Sequence, residues 1–140
     1  MARKILFIFF GIIFLSSVSC KRNRNQIPYV NVDIYVYPSQ PAYINLNIIG
    51  GWIYLSGGYK GIIVYRSTQD EFIAYDRACT YDPTDDCSLV EVTKDNVIAV
   101  DSCCKSQYLI TDGNVFSGVA TQPLQRYRAD FDGVTLHIYN

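Results

Sequence analysis

Hydrophobic and polar positions alternate where the folded part of this chain begins. Val30, Val32, Ile34 and Val36 stand against Asn31, Asp33, Tyr35 and Tyr37. A repeat of two predicts a strand with one face turned inward. Ile44, Leu46 and Ile48 repeat the pattern against Tyr43, Asn45 and Asn47 and predict a second strand. Shorter apolar runs at 52–55, 61–66, 71–76, 89–93, 97–100, 107–110, 124–128 and 134–139 predict the others. No window after residue 27 carries a helical period. Gly57-Gly58, Asp112-Gly113 and Asp132-Gly133 separate the runs, and the last two favour tight hairpins. About ten short strands at close spacing predict one all-β domain, an antiparallel sandwich or barrel. The chain shows no internal repeat and no low-complexity tract.

Composition agrees with strands. The 140 residues include 12 Tyr and one Met, a bias toward β structure and away from coiled coil. Twelve Lys and Arg face 13 Asp and Glu, so no basic face marks a nucleic-acid partner. Tyr35, Tyr37 and Tyr43 fall on the polar side of their strands. Their rings pair apolar area with a polar tip, though strand propensity alone accounts for their number.

The amino terminus reads as a targeting segment. Arg3 and Lys4 precede an 11-residue apolar run at 5–15 (ILFIFFGIIFL), then Ser17-Val18-Ser19-Cys20. A bilayer-spanning helix needs about 20 apolar residues, so this run suits a signal core. An ordinary secretory signal cleaved near Ser19 is one reading. The segment also resembles a bacterial lipoprotein signal, in which small residues precede a cysteine that is acylated and becomes residue one. Ser17 stands where that family more often writes Leu. The resemblance implies a signal at 1–19, lipidation of Cys20, and anchoring in membrane lipid through its acyl chains. Residues 21–26 (KRNRNQ) then form a polar tether whose three cations suit anionic headgroups. Lys21, where Asp would imply inner-membrane retention, points to the outer membrane of the cell envelope. The mature chain would carry ten basic against 13 acidic residues.

Setting Cys20 aside leaves Cys79, Cys87, Cys103 and Cys104, an even number that in an exported chain favours disulfides. Three connectivities are open, and the one joining vicinal Cys103 to Cys104 is the most strained. Metal readings are weaker: no CxxC pair occurs, and vicinal cysteines suit a tetrahedral site poorly. The single histidine, His137, alternates with Leu136 and Ile138 and is expected at solvent or on the opposite sheet face. The Asp82-Pro83-Thr84-Asp85-Asp86 run reads as a solvated turn, with a calcium loop as the alternative. No nucleophile–base motif appears, so no catalytic residue is assigned and the chain is not expected to be an enzyme.

Residues 59–140 resemble the Rieske iron–sulfur fold family. Gly61–Arg66 followed by Glu71–Asp76 looks like the strand pair before the first ligand loop. Ala78-Cys79-Thr80-Tyr81 falls where the family writes its first ligand motif, and Asp101-Ser102-Cys103-Cys104-Lys105-Ser106-Gln107-Tyr108 where it writes the second. Gly118–Leu124 looks like its proline loop, with Tyr127 and Asp132-Gly133 following. Residues 27–58 match by strand pattern alone. The resemblance implies a Rieske-like antiparallel β-sandwich over 27–140, with a small loop-rich lobe at 77–122 where the cluster would sit.

The chemistry does not carry over intact. A Rieske centre holds its two irons with two Cys and two His. The matching positions here are Cys79, Tyr81, Asp101 and Cys104, and only Cys79 is the family's residue. The resemblance therefore implies a domain that has lost its 2Fe–2S cofactor and binds no metal. Respiratory Rieske proteins link their two ligand loops by a disulfide at positions matched by Cys87 and Cys103. That pairing leaves Cys79 and Cys104 to form a second link. The expected function is a lipid-anchored envelope protein whose degenerate domain binds an unidentified envelope protein or ligand, or serves structurally. The alternatives are electron transfer through an atypically ligated 2Fe–2S cluster, as a Rieske-type oxidoreductase or electron carrier, and a thiol–disulfide redox module.

Overall fold

The computed structural model describes residues 26–140. The signal at 1–19, Cys20 and nearly all of the tether lie outside the described residues. Ten strands follow in order: β1 (Asp33–Val36), β2 (Trp52–Leu55), β3 (Ile62–Arg66), β4 (Phe72–Asp76), β5 (Val90–Val92), β6 (Ile98–Asp101), β7 (Gln107–Leu109), β8 (Val115–Ser117), β9 (Arg126–Phe131) and β10 (Leu136–Tyr139). All pairings are antiparallel. Six strands form one sheet in the order β1-β10-β9-β4-β3-β2, and β5-β6-β7-β8 form another. Among the described residues no helix is long and apolar enough to cross a membrane.

The six-stranded sheet joins its halves through only two residue pairs, Ala74 with Tyr127 and Tyr75 with Arg126. One core lies between those halves. Val36, Leu136 and Ile138 from one side meet Ile53, Ile62, Val64, Phe72 and Ala74 from the other. The opposite face of β3 and β4 is also covered. Ile63, Ile73 and Tyr75 pack with Cys79, Val90, Ala99, Tyr108, Ile110 and Leu124. Strands buried on both faces read as continuous apolar runs, as Ile62-Ile63-Val64 and Phe72-Ile73-Ala74-Tyr75 do. β10, with one inward face, alternates buried and half-buried residues.

The strand expected over Ile44–Ile48 is absent. Residues Pro41–Asn47 form a 3-10 helix, with Pro41 in its first turn. Pro suits that position because its missing N–H would have no helical partner. Only Leu46 turns inward, while Ile44 and Ile48 are exposed, so the apparent two-residue repeat was incidental. Tyr43 accordingly packs against the first core instead of standing on a strand's polar side. The pattern also missed β8, which is three residues long. Both expected hairpins form, with Gly113 at φ +77° between β7 and β8 and Gly133 at φ +96° between β9 and β10. A Cβ on Gly113 would lie 2.6 Å from the Tyr75 ring.

A buried carboxylate fixes the exit from β4. Asp76 is fully buried, and its Oδ1 accepts from the backbone N–H groups of Ala78 (2.8 Å) and Lys60 (3.3 Å). Its Oδ2 accepts from the Tyr59 N–H (2.6 Å) and the Tyr127 hydroxyl (2.7 Å). Four donors thus compensate the cost of burying this side chain. The chain turns under that clamp straight into the loop that carries Cys79.

Candidate functional site

Three loops of the segment between β4 and β9 converge on Cys79 and Cys104. The first, 78–88, leaves β4. The second, 101–106, joins β6 to β7. The third, 118–123, leads back toward β9. Cys79 is buried, and its N–H donates to Ser88 Oγ at 3.1 Å. Asp101, at the end of β6, uses Oδ1 to accept from the N–H groups of Cys103 (2.8 Å) and Cys104 (2.7 Å). That turn closes with Lys105 N–H donating to the Asp101 carbonyl at 3.0 Å. A short acidic side chain bonding two residues ahead is a standard way to turn the backbone.

The loops are cross-tied. Cys87 and Cys103 form a disulfide joining the first loop to the second. The second link expected from the sequence is not formed: Cys79 and Cys104 are free cysteines, their sulfurs 2.7 Å apart against about 2.05 Å for an S–S bond. The third loop is held from both sides. Thr80 Oγ1 donates to the Gln122 carbonyl (2.6 Å), and Ala120 N–H donates to Ser106 Oγ (3.0 Å). Gly118, at φ +106°, lies so close that a Cβ there would stand 2.5 Å from Ser106 Cα. Behind the thiols, the Tyr108 hydroxyl accepts from Thr80 N–H (3.2 Å) and contacts Cys79 Sγ at 3.4 Å.

Burial and the neighbouring Cys79 push the Cys104 thiol up to about 11, with Ser106 acting in the opposite direction. Burial also raises Tyr108, and Cys79 adds to the effect. Both groups therefore hold their protons at neutral pH. A thiol this far above the ordinary range is a weak nucleophile.

No family model matches the chain, and no curated protein does either.

A cavity of about 180 Å3 opens over the pair, lined by Cys79, Tyr81, Asp82, Asp85, Asp101 and Cys104 among others. All four positions named from the sequence therefore border one space. Cys79 Sγ, a carboxylate oxygen of Asp101 and Cys104 Sγ lie within 4.8 Å of one another. Tyr81 borders the cavity with its side chain about half exposed. His137 lies elsewhere, on β10, stacked between Tyr35 and Tyr139 with Nε2 2.7 Å from Asp33 Oδ1. In the acidic loop, Lys60 Nζ donates to the carbonyls of Asp85 (2.7 Å) and Asp86 (3.4 Å). The contacts of Thr80, Ser88, Ser106 and Tyr108 had no local sequence signal. Thr80 and Tyr108 are 28 residues apart and meet only through the fold.

Proposed function

We propose that this chain is a lipid-anchored protein of the bacterial envelope, held at Cys20 in the outer membrane. Its Rieske-like domain works without an iron–sulfur cluster, as a binding or structural module and not as an enzyme. The observation that carries the reading is the set of groups around the cavity. A phenol, a carboxylate and two thiols mix hard and soft donors, a set that does not fit an iron–sulfide core. A four-stranded sheet whose loops meet at those positions, inserted between β4 and β9, supports the fold resemblance. The Cys87–Cys103 disulfide ties the two loops without metal. The raised Cys104 thiol weighs against a thiol–disulfide catalyst, which needs a ready thiolate.

The test is an iron and acid-labile sulfide assay with a visible spectrum on anaerobically purified full-length protein. A colourless protein is expected. A brown protein with stoichiometric iron and sulfide would overturn the absence of a cluster. The anchor is tested separately by fatty-acid labelling, which Cys20→Ser should abolish; persistent labelling of the variant would exclude Cys20 as the lipid site.

A further inference from the structure

The carboxylate of Asp101 is only half used. The residue is fully buried, and Oδ1 serves the turn through two backbone N–H groups. Oδ2 is buried with no hydrogen-bond partner. A buried, unpaired carboxylate oxygen is costly and calls for a positive partner. Asp101 forms one compact group with the sulfurs of Cys79 and Cys104, on the wall of the same cavity. Among the described residues, the cavity lining holds Asp82 and Asp85 besides Asp101 and no Lys or Arg; Lys60 Nζ reaches the Asp85 carbonyl, but three carboxylates outnumber that one ammonium, so the local charge favours a cation.

We propose that Cys79, Asp101 and Cys104, in their thiol form, make a site for one thiophilic divalent cation of the Zn2+ class. On binding, the two thiols lose their protons to solvent; the two thiolates and one carboxylate then give three protein ligands, and the cavity leaves a fourth position to water. Sulfur donors select against Ca2+ and Mg2+. Two Zn–S bonds of about 2.3 Å at a tetrahedral angle hold their sulfurs roughly 3.7 Å apart, so binding spreads the pair by about 1 Å. Cys104 is only half-buried and can supply that movement, whereas Cys79 is fixed in the core. The turn hydrogen bonds orient Asp101, the part that outer partners of a metal ligand play.

Metal binding and oxidation compete for the same sulfurs. Joining Cys79 to Cys104 consumes both thiols, and a disulfide oxidant takes up the two electrons and two protons and leaves as two thiols. The site therefore exists only in the reduced protein, where its formation should slow that reaction.

The experiment is titration of full-length protein, in detergent and in a Cys20→Ser background, with Co2+ and then Zn2+ alone. In the reduced protein, one equivalent of Co2+ should give thiolate-to-cobalt absorption and the visible bands of a four-coordinate ion, and Zn2+ should displace it. Cys79→Ser and Cys104→Ser should abolish the absorption. Asp101→Asn keeps the turn acceptor and replaces Oδ2; it should weaken binding at least roughly tenfold with an unchanged circular dichroism spectrum. Zn2+ should also lengthen the time for glutathione disulfide to consume the two thiols. Absence of thiolate–cobalt absorption, or absorption that persists in either cysteine variant or at undiminished affinity in Asp101→Asn, overturns the site. Such a failure leaves the cluster-free reading standing, because iron and sulfide are assayed independently.

Discussion

Tyr127→Phe removes one oxygen from the clamp around Asp76 and leaves the ring in place. The hydroxyl donates to a fully buried carboxylate over 2.7 Å. A hydrogen bond to a charged group contributes about 1.5–3 kcal/mol. The ring volume is unchanged, so no cavity adds to the loss, and Oδ2 keeps the Tyr59 N–H at 2.6 Å. The expected cost is about 2 kcal/mol, or roughly 10 °C in Tm for a domain of this size. Asp76→Asn should cost more, about 3–5 kcal/mol, because an amide N–H2 then faces donors that the carboxylate accepted from. The double variant should fall short of the sum by about 1–2 kcal/mol, since the shared bond can be lost only once. Urea denaturation followed through Trp52, the only tryptophan, measures all three. The midpoint should move with the slope unchanged. A Tyr127→Phe loss below about 0.5 kcal/mol, or strict additivity, would refute the clamp as a source of stability.

Three further outcomes follow from other parts of the fold. Gly113→Ala should destabilise by at least about 1 kcal/mol, because φ is +77° and the new Cβ meets the Tyr75 ring; thermal melts check it. Burial holds Tyr75, Tyr108 and Tyr127 above the ordinary tyrosine range. Above about pH 10 the unfolded chain releases these protons while the folded one keeps them, so stability should fall with rising pH by about 1.4 kcal/mol per group per unit and be intact below; urea midpoints from pH 8 to 11 read this directly. With its thiol pushed up to about 11, Cys104 in reduced folded protein should alkylate at a rate still climbing at about pH 10, past the range where an unfolded cysteine levels off; site-resolved mass spectrometry follows it, and a plateau near 8.5 would contradict the environment described.

The parts of the fold legible in the sequence were those fixed by local pattern. Val32 and Val36 face inward as their alternation predicts, and the Asp-Gly pairs mark both hairpins. The two short apolar runs of β3 and β4 announced strands, and the structure gives their reason: each is covered on both faces. The 3-10 helix escaped because Ile44, Leu46 and Ile48 imitate a strand over so short a span, and Pro41 was the signal to weigh against them. β8 escaped because three residues with Phe116 exposed carry no period. The site was legible only as far as its cysteines and the fold resemblance. The half-used carboxylate of Asp101 and the Thr80–Tyr108 contact arise from loops brought together across the chain, which periodicity does not record.

The pairing of β1 with β10 has a consequence for how the chain is made. Asp33 meets Tyr139 and Val36 meets Leu136, so the first strand finds its partner only in the last. A ribosome delivers residues in order, and β1 waits through the synthesis of about a hundred others before its edge can be closed. Contacts this distant in sequence are entropically costly to bring together and slow to form. Until Leu136–Tyr139 emerge, the first core lacks the strand that supplies Leu136 and Ile138, and the growing chain has no complete native state to fall into.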